Sequence, residues 1–96
     1  MGAEQFWHQA EGKNPKEAFK NATEEAAYDH GHSGYTGTIA EKNEYVMIDV
    51  PEGKNPAEYA DELMEKDDER IDDKWGPAGC IKIEEGKYLF FGWASS

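Results

Sequence analysis

The 96-residue chain is strongly acidic, with 21 aspartates and glutamates against 10 lysines and arginines, a formal net charge of −11. A chain of this length forms one domain with a modest core, and it cannot enclose a deep cleft between domains. Surfaces that bind DNA or RNA carry clustered Lys and Arg, which neutralise the phosphates. The charge therefore disfavours direct binding of nucleic acid.

The cysteine content and the hydropathy favour a cytoplasmic protein. Cys80 is the single cysteine, so no internal disulfide can form. No apolar leader or membrane-spanning stretch is visible, and no phosphate-binding loop is complete. We therefore expect a cytoplasmic chain with no cofactor and no membrane contact.

An internal repeat organises the sequence. The pentapeptide Glu-Gly-Lys-Asn-Pro occurs at 11–15 and again at 52–56, an offset of 41 residues. Weaker similarity follows both copies. We predict a tandem duplication of one supersecondary unit, with copies over about 4–48 and 45–93.

The first unit opens with a predicted strand over 4–10 and a helix over 15–29. Asn14 is the expected N-cap, Pro15 takes the first helical position, and Glu17 lies where a capping box requires it. The apolar residues of the helix share one face and are expected to point inward: Phe19, Ala22 and Ala26.

Two short strands are predicted next, over 37–41 and 44–50, because β-branched and aromatic residues are concentrated there. Lys42 and Asn43 lie between them, as a hairpin turn would require. The first unit is therefore expected to end in a β-hairpin.

The second unit repeats the helix-start signals at Asn55, Pro56 and Glu58, and it predicts a helix over 56–73. Its inward face is expected to consist of four apolar residues: Ala60, Leu63, Met64 and Ile71. This second helix is the longer of the two predicted helices.

Strands over 79–84 and 87–93, joined by a turn at Glu85 and Gly86, complete the second unit. The order β-α-β-β-α-β-β predicts one α+β domain over 1–96. We expect a ferredoxin-like split βαβ arrangement, with an antiparallel sheet and both helices on one face.

The last strand is apolar on both of its faces, which helices on one side of a sheet do not explain. Its second face is either covered by loops as part of the core, or exposed as a partner or dimer surface. In the second case Phe91 and Trp93 would contact the partner.

One segment has the residue types of a metal site. Asp29, His30 and His32 lie within four residues at the end of the first helix, and His8 or Asp49 could complete the ligand set. The repeat aligns His30 with the apolar Ile71, which favours a core position for His30. Metal binding through Asp29 and His32 is therefore the weaker interpretation.

The second predicted helix carries a dense acidic run. This run can be a solvated face that keeps the protein soluble, or a surface that imitates a phosphate backbone and attracts a basic protein groove. The residues predicted to bind a partner are these carboxylates and the aromatic residues near them: Glu62, Glu65, Asp67, Asp68, Glu69, Asp72, Asp73, Trp75, Phe91 and Trp93.

Three segments, Gly-Tyr-Thr-Gly-Thr-Ile-Ala-Glu-Lys at 34–42, Asp-Lys-Trp-Gly-Pro-Ala-Gly at 73–79 and Phe-Phe-Gly-Trp-Ala at 90–94, resemble a family of small uncharacterised proteins of bacteriophages and their hosts. The resemblance covers nearly the whole chain and implies no known activity or catalytic residue. Small acidic phage proteins include inhibitors of host defence complexes, so the resemblance favours the interpretation as a nucleic-acid mimic.

We therefore expect a non-enzymatic interaction protein, monomeric or homodimeric, whose partner is a basic nucleic-acid-binding protein. Cys80 falls within a predicted strand, and no nucleophilic triad is evident. The alternatives are a small metal-dependent enzyme or metal-binding protein using Asp29 and His32, and a halophile-type acidic domain.

Overall fold

The computed structural model describes residues 3–30 and 38–95, which form an α+β fold with one four-stranded mixed sheet and two α-helices. The elements in chain order are β1 (Ala3–Glu11), α1 (Pro15–His30), a 3₁₀ turn (Ile39–Glu41), β2 (Tyr45–Met47), α2 (Pro56–Glu65), β3 (Ala78–Glu84) and β4 (Lys87–Ser95). None of the described helices is long and apolar enough to cross a membrane.

The sheet order is β1-β4-β3-β2. Strand β4 is antiparallel to both of its neighbours, whereas β2 and β3 are parallel. The two-residue turn at Glu85 and Gly86 joins β3 to β4 as predicted, and Gly86 takes the positive φ of 79° that this turn requires. The ferredoxin-like order is not confirmed, because a parallel pair replaces one antiparallel pair of the predicted sheet.

The two helices cover opposite faces of the sheet, which corrects the expected placement on one face. Ala18 and Ala22 of α1 pack in one buried cluster with Phe90, whereas Leu63 of α2 packs in a second cluster with Phe91. Successive residues of a strand point to opposite faces, so Phe90 and Phe91 separate the two cores. The apolar character of β4 on both faces is thereby explained by three layers, helix, sheet and helix.

The strand predicted over 37–41 is not formed in its described part. Thr38 instead caps a short 3₁₀ turn by accepting a hydrogen bond from the amide of Ala40 at 3.2 Å, and the amide of Lys42 donates to the carbonyl of Ile39 at 2.9 Å. Ile39 is buried in the α1-side core. Because no strand is formed over 38–41, Lys42 does not join two strands of a hairpin, and the described residues form four strands rather than five.

Both helix starts follow the repeated pentapeptide. The Asn14 side chain accepts from the amide of Glu17 at 2.8 Å, and the Asn55 side chain accepts from the amides of Ala57 and Glu58 at 2.9 and 3.2 Å. The predicted N-caps are therefore confirmed.

Helix α2 ends at Glu65, eight residues before the predicted end at 73. Asp67 has a φ of 53°, its amide donates to the carbonyl of Met64 at 3.3 Å, and the amide of Asp68 donates to the carbonyl of Leu63 at 3.1 Å. These bonds form a Schellman motif, with aspartate in the left-handed position that glycine usually occupies. Ile71 is buried as predicted, but from a turn rather than from the helix.

Lys42 connects the segment after α2 to the rest of the fold. Its ammonium group is buried and donates to the backbone carbonyls of Asp73, Lys74 and Gly76 at 3.3, 3.1 and 2.9 Å. A buried charge is tolerated where hydrogen bonds replace its hydration shell. The three carbonyls of this loop are satisfied in the same way.

We predict that Lys42→Met lowers the free energy of unfolding by about 2–3 kcal/mol, because three partly buried carbonyl groups lose charge-assisted hydrogen bonds. Urea denaturation measures the effect, and Lys20→Met, at an exposed position in α1, is the matched control. Equal stabilities of the two variants would contradict a structural role for Lys42.

Candidate functional site

The acidic run is divided between α2 and the segment that follows it. We call residues 65–73, from the last residue of α2 onward, the acidic turn. Between Glu52 and Lys74 the chain has ten acidic and four basic residues, a net charge of −6. Because α2 ends at Glu65, its ten residues extend over only about 15 Å, and the remaining carboxylates follow a compact turn.

Some of the predicted partner-binding carboxylates already have internal partners. Glu62 accepts from the ammonium groups of Lys54 at 2.8 Å and Lys66 at 2.9 Å. These hydrogen bonds lower the pKa of Glu62 to about 2. Glu62 therefore links the start of α2 to its end rather than presenting a free charge.

Asp68 has a comparable internal role. Its two carboxylate oxygens accept from Nε and Nη2 of Arg70 at 2.9 and 3.0 Å, and its Oδ1 accepts from the amide of Arg70 at 2.9 Å. The side-chain hydrogen bonds from Arg70 lower the pKa of Asp68 to about 2. This pair holds the backbone of the acidic turn in one conformation.

Trp75 lies immediately after the acidic turn and is 66% exposed. The Asp73 carboxylate accepts from the amide of Trp75 at 2.8 Å, and the Lys74 ammonium lies 5.5 Å from the centre of its indole ring. The backbone on both sides of Trp75 is thus fixed, while the ring itself remains accessible.

Four predicted partner-binding carboxylates are exposed and have no hydrogen bond or ion pair with any described residue. They lie at the end of α2 and in the acidic turn: Glu65, Asp67, Glu69 and Asp72. Their charge is not neutralised within the described part of the chain, so they give this surface uncompensated negative charge.

The two aromatic residues proposed from β4 are placed differently from Trp75. Phe91 is fully buried under α2, so it belongs to the core and cannot contact a partner in this structure. Trp93 is partly buried against the same core, and its indole Nε1 is buried without a described hydrogen-bond partner. Of the three predicted aromatic anchors, Trp75 is the one that is mainly exposed.

The described residues include only part of the predicted metal site. The side chain of Asp29 and the whole of His32 lie outside them. His8, which could have completed the site, instead lies 3.4 Å from a carboxylate oxygen of Glu25, and Asp49 is exposed. Among the described side chains, no group of three or more His, Cys, Asp or Glu is arranged to hold a metal ion.

Two features of the surface were not foreseen from the sequence. Lys42 was assigned to a turn, and nothing in the sequence signals that its ammonium is buried under a loop 31 residues later. Trp7 is 46% exposed on β1. Here a signal existed, because Phe6 and Ala10 point inward and strand alternation therefore turns Trp7 to the other face.

Comparison of the chain with family models, with curated protein sequences and with solved structures found no match.

The thiol of Cys80 is buried in β3, and this burial raises its pKa to about 12. We predict that Cys80 reacts with a thiol reagent at pH 8 only as fast as the protein unfolds, because the thiolate is scarce and inaccessible. The rate is measured with and without denaturant. Rapid labelling of the folded protein would contradict the burial of this side chain.

The Asp68–Arg70 pair predicts a pH-dependent contribution to stability. The pKa of Asp68 is lowered in the fold, so its contribution is present above about pH 4 and is lost as the pH falls towards 2. We expect Asp68→Asn to cost about 1 kcal/mol at pH 7, since the pair is near the surface, and almost nothing at pH 2.

Thermal unfolding across this pH range measures the difference between Asp68→Asn and the wild type. Glu69→Gln removes a neighbouring exposed carboxylate without a described contact and is the matched control. A constant difference at all pH values would exclude an ionic origin.

Proposed function

We propose that this protein is a non-enzymatic interaction module that binds a basic protein surface through the acidic turn, with Trp75 as the apolar anchor. The observation that carries the proposal is the group of four exposed carboxylates without described partners beside an accessible tryptophan: Glu65, Asp67, Glu69 and Asp72. Interfaces commonly combine a desolvated aromatic anchor with a charged surround.

The acidic turn is well suited to binding because its backbone is held in place before a partner arrives. The Schellman bonds fix its start, Ile71 is buried in its middle, and Lys42 binds the carbonyls at its end. A preformed surface loses less conformational entropy on association than a mobile one. Its net charge would also accelerate the encounter with a basic partner.

The favoured partner class is a basic nucleic-acid-binding protein whose groove normally accepts phosphates. The short α2 and the compact acidic turn favour insertion into one basic pocket over imitation of an extended row of phosphates along a long helix. The resemblance to small acidic phage proteins supports the same class of partner, as an inhibitor of a nucleic-acid-handling complex.

We predict that neutralising the four exposed carboxylates weakens capture of basic proteins from a lysate of the source cells by at least about fourfold, given about 0.2–1 kcal/mol for each exposed ion pair. The substitutions are Glu65→Gln, Asp67→Asn, Glu69→Gln and Asp72→Asn. Asn at position 67 retains the left-handed conformation. The bound proteins are quantified by mass spectrometry at low and high salt.

The matched control neutralises four exposed carboxylates elsewhere, at Glu17, Glu44, Asp49 and Glu52. Binding through the acidic turn requires that this control retains the partners, that high salt releases them, and that Trp75→Ala also weakens capture. Identical sets of bound proteins for both fourfold variants would reject the acidic turn as the binding surface.

A further inference from the structure

The free edge of β1 is a second surface with the features of a binding site. β1 is an edge strand of nine residues, and it pairs with β4 in unbroken register from Ala3 to Glu11. It contains no proline, lysine or bulge, which are the features that usually protect an exposed edge. The opposite edge, β2, is only three residues long.

The register shows which backbone groups face outward. The amide of Gly12 donates to the carbonyl of Gly86 at 3.0 Å, and this pair continues the β1–β4 register by one residue. Hydrogen-bonded positions alternate in an antiparallel ladder, so the amides and carbonyls of Gln5, Trp7 and Gln9 point away from β4. No described residue hydrogen-bonds to these groups.

The same alternation is visible at the end of the strand. The carbonyl of Glu11 also faces outward, and it accepts from the side-chain amide of Asn21 in α1 at 2.9 Å. This contact closes the edge at Glu11. The outward groups between Gln5 and Gln9 remain available for another strand.

An acidic groove of about 490 Å³ runs between this edge and α1. It is lined by Gln9, Ala10, Glu11, Asn21, Glu24 and Glu25. Each ionisable side chain described in its lining is a carboxylate. A strand added beside β1 would place every second side chain next to this groove.

The remaining side chains of an added strand would lie on the opposite face, beside Trp7. The indole of Trp7 is half-exposed and lies between Gln5 and Gln9 on that face. It offers apolar area to an aliphatic side chain. The two faces of the edge therefore select different residue types, basic on the α1 side and apolar on the Trp7 side.

We propose that β1 binds an extended, basic segment of a partner protein by strand addition, with alternating Lys or Arg facing Glu24 and Glu25 and apolar residues facing Trp7. Backbone hydrogen bonds to Gln5, Trp7 and Gln9 supply affinity for an extended segment whatever its sequence. The side chains of the added segment supply the specificity. This proposal does not rest on the acidic turn.

A second copy of this chain fits the edge less well. Antiparallel pairing about Trp7 would set Glu4 of one copy opposite Ala10 of the other, beside the acidic groove. Each copy also carries a net charge of −11. The charges therefore favour a basic segment over self-association.

The probe is a capped octapeptide of alternating lysine and valine, added to the ¹⁵N-labelled protein at low salt. We expect the amide protons of Gln5, Trp7 and Gln9 to exchange at least about tenfold more slowly in its presence, because strand addition protects them. An octapeptide with glutamate in place of lysine should not bind. N-methylation of alternate amides of the basic peptide should abolish the protection while leaving the protein unchanged.

Two pairs of variants separate backbone pairing from charge. Gln9→Pro removes an outward amide that the β4 ladder does not use, and it should weaken binding at least about fivefold, whereas Gln9→Ala should not. Glu24→Gln with Glu25→Gln should weaken binding about five- to tenfold. Glu44→Gln with Glu52→Gln, an equal loss of charge outside both proposed surfaces, should leave it unchanged. Glu65→Gln with Glu69→Gln tests whether the peptide binds the acidic turn instead.

Several results would overturn the proposal. Binding without protection of the three amides would show attraction by charge alone, and loss of binding in the Glu65 and Glu69 variant would assign the peptide to the acidic turn. Protection of the same amides in the free protein, accompanied by a dimer in sedimentation, would show that a second copy occupies the edge. Each of these outcomes can be recognised whether or not neutralising the four carboxylates of the acidic turn weakens capture of basic proteins.

Discussion

Burial of β4 on both faces determines how the other elements are placed. Phe90 and Phe91 are both fully buried, and they point to opposite sides of the sheet. One strand with two apolar faces requires cover above and below, so α1 and α2 cannot share a face. The consequence is two small cores in a chain of 96 residues, each closed by one short helix and the segments beside it.

The segment after α2 is essential to this arrangement. A ten-residue helix covers only part of its face, and Ile71 fills the remainder from the turn. Lys42, which follows the 3₁₀ turn packed against α1, binds the carbonyls of the loop beyond Ile71. The same contacts that complete the second core therefore also hold the acidic turn and Trp75 in place, which connects the stability of the fold to the surface proposed to bind a partner.

The two proposed binding surfaces use negative charge in different ways. At the acidic turn, carboxylates project from a fixed irregular backbone around an exposed indole. At β1, carboxylates lie beside a row of outward-facing backbone amides and carbonyls to which no described residue hydrogen-bonds. Attraction by the first surface is mainly electrostatic and sensitive to salt, whereas the second adds directional hydrogen bonds.

Elements whose signals are local could be predicted from the amino-acid sequence alone. Asn14 and Asn55 cap their own helices, Gly86 forms the turn of its hairpin, and aromatic residues mark β1 and β4. Apolar periodicity also identified the buried residues of α2 and two of those in α1, Ala22 and Ala26, but it missed Ala18. Each of these depends on residues within a few positions of one another, where propensity and periodicity are informative.

How these elements combine depends on contacts between residues that are far apart in the chain. The two identical pentapeptides have different surroundings. A Cβ atom at Gly12 would lie 2.5 Å from the backbone nitrogen of Ala18, whereas Gly53 adopts a φ of 88° with open space around it. Ile39 and Ile81 are both buried, one in a 3₁₀ turn and the other in a strand. Burial was predictable from their apolar character. The backbone around them was fixed by long-range contacts, such as those of Lys42 and β4, which no local pattern encodes.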